Sequence, residues 1–389
     1  MKQYRISWFD EFECLGGKCP QTCCKGWVIP LEREDCIRLK KTGGKLGVRL
    51  FFATAGWTRA KFNADSATCP FHDNDGLCRI QKEKGHETIP WACQSYPRFY
   101  RNYGEFEECS LDLSCIAAVR MMLDHPGDLR TIEIEHEPCT QLCTTNDDTE
   151  FLNYLMNIRQ EMTEAVFSGD LGQTMTCMYS FAAGLQDTLG RGGNDRRCDL
   201  SFKEYINSEA LNEEMSMFPL SAGMLRKFLG SSLCHPRLRI KGPLIYSMFT
   251  SAKMYLKRKD EGSWKRAAET FLKENPGLYP VLSSYLSYNL YQYFLRSYET
   301  YSFRKQMALA IIHTNMILLL FITLADESDD RKPDHAAIIA AYNRRAYFND
   351  SIQDEMYRIF EDLKIDLDRN GSDCYNVTRK ENVNFKNKS

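Results

Sequence analysis

The sequence of 389 residues lacks any excess of charge of one sign: 50 Lys and Arg stand against 52 Asp and Glu, a net charge of -2. That balance excludes a global attraction to nucleic acid or anionic lipid, so neither is expected as a partner. The opening residues, Met1-Lys-Gln-Tyr-Arg-Ile-Ser-Trp-Phe-Asp-Glu-Phe12, lack the charged stretch and apolar run of a secretory signal, and a cytoplasmic setting is expected. Long apolar runs are also scarce. Met307 to Ala325 approaches membrane length, but His313, Thr314 and Asn315 interrupt it and no second span accompanies it, so it reads as a buried core helix rather than a membrane helix.

Cysteine, by contrast, is abundant. Of the 16 cysteines, 12 lie before residue 144, and in a reducing compartment they suit ligands and buried thiols better than disulfides. The densest stretch is Cys14-Leu-Gly-Gly-Lys-Cys19-Pro-Gln-Thr-Cys23-Cys24-Lys-Gly-Trp27, where glycines and a proline let the backbone curl several sulfurs toward one place. Neighbouring side chains diverge by about 100° in a helix and about 180° in a strand, so Cys23 and Cys24 suit two different centres.

Three further blocks follow. Cys69-Pro-Phe-His-Asp-Asn-Asp-Gly-Leu-Cys78 carries strong turn chemistry over Asp73 to Gly76, which returns the chain so that both sulfurs face one centre. Cys93 comes with Tyr96-Pro97-Arg98, and Cys115 heads a helix expected over Ile116 to Leu123, where the positive helix end favours a thiolate. The eight thiols Cys14, Cys19, Cys23, Cys24, Cys69, Cys78, Cys93 and Cys115 are the candidate metal ligands. Zinc sites and iron-sulfur cubanes each take about four thiolates, so eight make two centres, or one with spares. The clustering does not select the metal, although two Cys-x2-Cys knuckles of a zinc ribbon are missing. Cys36, Cys109, Cys139 and Cys143 read as ordinary thiols and His72 as a turn histidine.

Beyond residue 146 the pattern becomes helix after helix. Phe151, Leu155, Ile158, Met162 and Val166 form one apolar stripe, capped by Asp148 or Thr149 and stopped at Gly169. Capping boxes are expected at Ser201 and Ser351, and helices at 174 to 189, 201 to 217, 263 to 274, 281 to 299, 304 to 325 and 334 to 347. The fold class expected is mainly α: a Cys-rich, irregular, metal-binding region over 1–145, an all-helical domain over 146–365 and a disordered tail over 366–389. The tyrosine-rich run from Tyr285 to Tyr301 reads as helical core with hydroxyls satisfied at its edge, or as the lining of a pocket for a cation or planar ligand. The cations from Arg33 to Lys61 read as a solvated face, or as a docking surface for an acidic partner.

Together the blocks carry a resemblance. The run Cys14-x4-Cys19-x3-Cys23-Cys24-Lys-Gly-Trp27-x-Ile29, then Cys69-Pro-Phe with Asp75-Gly-Leu-Cys78-Arg-Ile, then Cys93-x2-Tyr96-Pro97-Arg98, then Ser110-Leu-x-Leu-Ser-Cys115 resembles the flagellin lysine-N-methylase family. The helical remainder is similar to that family's second half. The resemblance implies transfer of a methyl group from S-adenosylmethionine to lysine amines of flagellin or another protein, with a cysteine-bound iron-sulfur cluster, 4Fe-4S expected and zinc as the alternative. A non-catalytic iron-sulfur or zinc redox or scaffold protein is the competing reading.

The residues do not themselves reveal a methyl donor site. Leu189-Gly-Arg-Gly-Gly-Asn194 follows a helix rather than a strand, so it reads as a turn and not a nucleotide loop. The Cys-x3-Cys-x2-Cys run of radical S-adenosylmethionine enzymes is missing because Cys24 follows Cys23 directly, which favours a polar displacement. Trp27, Tyr96 and Arg98 interleave with the thiols and are the candidates for donor or substrate contact; Arg98 would equally offset thiolate charge. No catalytic residue and no oligomeric state can be assigned from sequence.

Overall fold

In the computed structural model the described residues are 1–26, 28–53, 61–63, 68–138, 148–190, 201–208, 217–327, 334–347 and 349–370. They form two units. The first comprises Met1–Thr144, His235–Thr250 and Ser328–Arg345; the second comprises Thr145–Cys234, Ser251–Glu327 and Ala346–Ser389.

Chain order in the amino-terminal part is β1 (Lys2–Ile6), β2 (Val28–Pro30), α1 (Arg33–Lys40), α2 (Gly44–Ala53), β3 (Lys61–Asn63), α3 (Arg79–Lys84), α4 (Trp91–Ser95), β4 (Arg98–Asn102), β5 (Phe106–Leu111), α5 (Ile116–Asp124) and β6 (Thr131–Glu135). The expectation of an irregular region is corrected here, because four strands form a sheet in the order β4-β5-β1-β6. β1 runs parallel to β5, and their register sets Gln3 beside Glu107. There the Gln3 amide donates to the buried Glu107 carboxyl group at 2.5 Å, satisfying a polar group that would otherwise be costly inside the sheet. β4 and β5 form a hairpin turned at Gly104, whose φ of 92° suits glycine and whose N–H is accepted by Asn102 Oδ1 at 2.8 Å.

β2 and β3 pair as a separate ribbon. Beside it lies a small core of Ile29, Leu31, Leu39, Leu46, Leu50, Phe62, Cys69, Phe71, Ile80 and Ile89, against which Cys24, Cys36, Cys78 and Cys93 pack. Sulfurs therefore share the interior with aliphatic and aromatic side chains.

From Thr149 onward the described elements are helical: α6 (Thr149–Ser168), α7 (Leu171–Gly190), α8 (Phe202–Ser208), α9 (Ala222–Gly230), α10 (Leu238–Lys241), α11 (Pro243–Lys257), α12 (Glu261–Glu274), α13 (Leu278–Tyr293), α14 (Ser297–Thr300), α15 (Phe303–Glu327), α16 (His335–Ala346) and α17 (Asp350–Asn370). The chain is mainly α. α6 starts where its stripe predicts, with Asp148 accepting from Phe151 N–H at 3.0 Å, and ends at Gly169. α15, apolar on every side, is the central helix of the second unit, contacted by α7, α12, α13 and α17. It is long and apolar enough to cross a membrane, yet 94% of its most apolar window is buried inside the protein, the signature of a core helix.

Four local expectations are corrected. The helix expected over 281–299 breaks at Phe294 into a tight 3-10 turn before α14, which ends at Tyr301 with φ 51°. The helix expected to reach 217 ends its described part at Ser208, and Met217 is not helical. At the start of α17 the cap is Asn349, whose Oδ1 accepts from Ile352 N–H at 3.2 Å, and Ser351 is already inside the helix. α17 continues to Asn370, into the stretch expected to be disordered; residues 371–389 lie outside the described residues.

Candidate metal centre

Backbone contacts join the first two thiol-bearing blocks of the amino-terminal chain, and side-chain hydrogen bonds hold the other two in place. The loop after β1 makes a 3-10 turn at Gly16–Lys18, and the Gly16 N–H points to Cys14 Sγ at 3.4 Å. Its continuation meets the second block directly: Cys69 N–H donates to Cys24 C=O at 2.7 Å, and Lys25 bridges to Thr68. Within the second block Gly76 N–H donates to Asp73 C=O at 3.0 Å and Asp73 N–H to Leu77 C=O at 2.8 Å, so the turn folds back and pairs His72 with Cys78. Arg79 and Lys82 hold the Asp73 carboxylate, at 3.0 and 3.1 Å, and keep its pKa down at about 2, chiefly by their hydrogen bonds.

The third block is anchored by a carboxylate that sequence reasoning passed over. Asp35, 1% exposed, accepts Trp91 N–H at 2.9 Å, Glu32 N–H at 2.9 Å and the Arg38 guanidinium at 2.5 Å. It thereby caps the first turn of α4, which carries Cys93, and ties it to α1. The fourth block places Cys115 at the N-cap of α5, its N–H donating to Asp112 C=O at 3.0 Å.

The thiols feel one another. Burial pushes the Cys69 thiol up to about 11 and raises Cys93 further, with like charge from Cys24 adding in both and Cys69 and Cys78 adding to Cys93. Burial also raises Cys78 and Cys115; Cys24 adds to the first, Cys19 and Cys14 to the second. Cys23 donates to Cys24 and is held protonated, whereas Cys24 is lowered to about 7 by that hydrogen bond, by Thr22 and by Arg344. Held protonated by burial, the raised thiols would have to lose their protons to bind a metal, and a bound cation would favour that loss. In donor type the set fits a soft metal or an iron-sulfur cluster. As they stand, no three Cys, His, Asp or Glu side chains among the described residues are close enough to hold an ion. The twelve cysteines among the described residues carry no disulfide.

The other candidates fall differently. Trp27 lies outside the described residues, as do Cys139 and Cys143. Tyr96 is partly buried, its hydroxyl 3.0 Å from Ser114 Oγ, and desolvation raises its pKa well above the ordinary phenol value. Arg98 stacks over the rings of Phe9 and Phe12, at 5.8 and 5.2 Å, and reaches Phe12 C=O at 3.4 Å. The cation whose charge reaches Cys24 and Tyr96 is Arg344, more than two hundred residues away in sequence. Cys109 is fully buried in β5, and Cys36 is half-buried in α1. His72 Nε2 is buried without a hydrogen-bond partner.

In the second unit most of the tyrosine-rich run is core: Tyr285, Tyr288, Tyr291 and Tyr298 are buried. Tyr293 instead stacks on Tyr347 with ring centres 4.6 Å apart, and the pair lines a small indentation with Asn289, Gln306 and Gln353.

Three known proteins are similar to this chain. It is 28% identical over 135 residues to the flagellar biosynthetic protein FliU of Salmonella muenchen, a match covering 30% of this chain and 73% of that protein. It is 28% identical over 131 residues to a lysine-N-methylase of Salmonella typhimurium and 30% identical over 131 residues to one of Salmonella choleraesuis. Each of those two matches covers 32% of this chain and 33% of the relative. No family model matches, and no solved structure does.

Proposed function

We propose that this chain is a cytoplasmic protein-lysine N-methyltransferase that moves a methyl group from S-adenosylmethionine to lysine side chains of a flagellar protein, flagellin foremost. The observation that supports it is a coincidence of two kinds. Three of the four blocks that resemble the flagellin lysine-N-methylase family bring their sulfurs, Cys24, Cys69, Cys78 and Cys93, to one small core, and the relatives named above carry lysine-N-methylase and flagellar names.

The chemistry is an in-line displacement. The lysine nitrogen attacks the sulfonium methyl carbon, a C–N bond forms as the C–S bond breaks, and S-adenosylhomocysteine leaves with the electron pair. The nitrogen must first lose a proton, and free lysine has a pKa near 10.4. A desolvated, aromatic-walled site or a nearby acceptor has to lower that value, and the remaining demand is alignment. No redox step is needed.

We assign Cys24, Cys69, Cys78 and Cys93 to one thiolate set and Cys14, Cys19, Cys23 and Cys115 to a second, holding a 4Fe-4S cluster, or zinc as the alternative. When bound, such a group supplies a cross-link among four chain segments and a fixed local charge. Asp35, Arg344 and the Asp73 turn position the thiols from behind.

The test is incubation of anaerobically purified protein with S-adenosylmethionine and flagellin, followed by intact mass of the flagellin. Mass increments of single methyl groups support the reading. An unchanged mass, with failure to bind the donor and a reversible redox wave, would move the chain to an iron-sulfur redox or scaffold protein.

A further inference from the structure

The adjacent thiols Cys23 and Cys24 hydrogen-bond to each other, and of the two only Cys24 belongs to the small core. Cys24 packs against the small core with Cys78, Cys93 and the buried Cys69. Cys14 is exposed, Cys19 is outside that core, and Cys115 sits on the N-cap of α5. One side chain spans the ground between the first and fourth blocks. From α16, Arg344 donates through Nη2 to Gln21 C=O at 2.5 Å, through Nη1 to Thr22 C=O at 3.0 Å and through Nε to Ser114 C=O at 3.1 Å. The same helix is tied to the loop again, since Gln21 Nε2 donates to Ala337 C=O at 3.0 Å.

Three carbonyls on two loops converge on one guanidinium. The planar, five-donor fork of arginine can satisfy them together, which a lysine ammonium on a flexible stem cannot do with the same geometry. Gln21 and Thr22 lie between Cys19 and Cys23, and Ser114 immediately precedes Cys115, so fixing these carbonyls fixes the direction in which the flanking sulfurs leave the backbone. On the far side of Ser114 its hydroxyl meets Tyr96 and its N–H donates to Asp112 Oδ1 at 2.7 Å, so the turn that Arg344 grips is itself rigid.

We propose that Arg344 is a positioning residue that divides the thiols into two groups, holding the Gln21–Cys24 segment against the Ser114–Cys115 turn. Cys24 is directed to the core group of Cys69, Cys78 and Cys93; Cys14, Cys19, Cys23 and Cys115 form a loop group. As far as metal is concerned this rests on the reading under Proposed function; as a statement about the loop it does not.

The full chain is prepared as wild type, R344Q and R344K, and as C19S, C69S and the C19S/C69S double variant. Hydrogen exchange is followed over 19–24 and 114–119, iron, sulfide and zinc are counted after anaerobic reconstitution, and the helical signal is melted. R344Q is expected to speed exchange in both segments by about tenfold or more, since charge-assisted hydrogen bonds to both are lost, while the helical melt moves little. R344K is expected to fall between, and serves for the same comparison if R344Q does not fold. C19S and C69S should each lose about half of the bound metal and the double variant nearly all of it, as two centres of about four thiolates require. Unchanged exchange in the Arg344 variants overturns the positioning role, and loss of all metal from either single variant overturns the division. If the wild type takes up no metal, the metal reading fails and the exchange data still decide the role of Arg344.

Discussion

The backbones of Gly17 and Gly76 touch. Gly17 lies in the loop of Cys14 and Cys19, and Gly76 lies in the turn between Cys69 and Cys78. A Cβ on Gly76 would stand 2.8 Å from the Gly17 Cα, and one on Gly17 would stand 2.4 Å from Asp75 C=O. Two thiol-bearing segments can approach this closely only because neither residue at the crossing has a side chain.

Alanine at either position should therefore push the two loops apart. Gly76→Ala also forces φ of 81° on a residue with a Cβ, and a loss of about 3 kcal/mol is expected, with Gly17→Ala similar. Gly26, whose φ of 92° opens into empty space, is the control, and Gly26→Ala should cost only about 1 kcal/mol. Urea unfolding midpoints measure the order, and equal losses at all three positions would argue against the crossing.

Asp35 yields the second prediction. Asp35→Ala leaves Trp91 N–H and Glu32 N–H without their acceptor and the Arg38 guanidinium with Ile89 C=O alone, at a cost of about 2 kcal/mol. Because α4 carries Cys93, the first visible effect should be faster alkylation of Cys93, read peptide by peptide, with Cys177 in the second unit unchanged. A uniform rise at both thiols would indicate general unfolding instead.

His313 makes stability depend on pH. It is fully buried in α15, and burial lowers its pKa to about 3 from an ordinary 6.5. The folded protein keeps the imidazole neutral where the unfolded chain binds a proton, so this contribution is intact above about pH 6.5 and is lost as pH falls toward 3. Stability of the wild type should fall more steeply than that of His313→Gln between pH 6.5 and 4.5, by up to about 1.4 kcal/mol per pH unit. Parallel curves for the two proteins would contradict this assignment.

How much could be read beforehand follows the range of the interactions. α6, α7, α12 and α15 announce themselves through apolar spacing and caps that lie within a few residues of one another. The sheet does not, because β1 pairs with β5 across about a hundred residues and β5 is buried at every position, which hides the alternation that would mark a strand. Turn chemistry at Asp73 to Gly76 was legible, but its meeting with Gly17 was not, since no local pattern says which glycine must lack a side chain. Arg344 is the clearest omission: it looks like any cation in the last turn of a helix, and only the fold shows it donating to the carbonyls of the thiol loops.

The central claim is that sulfurs from four separated blocks hold an inorganic centre. Metal and sulfide analysis with a visible spectrum, after oxygen-free purification and reconstitution, tests it most directly. The wild type is expected to be a brown protein with iron and inorganic sulfide in comparable amounts, both depleted in Cys69→Ser and Cys78→Ser, or a colourless one with stoichiometric zinc depleted in the same variants. A protein that binds neither metal while its thiols all react freely would contradict it.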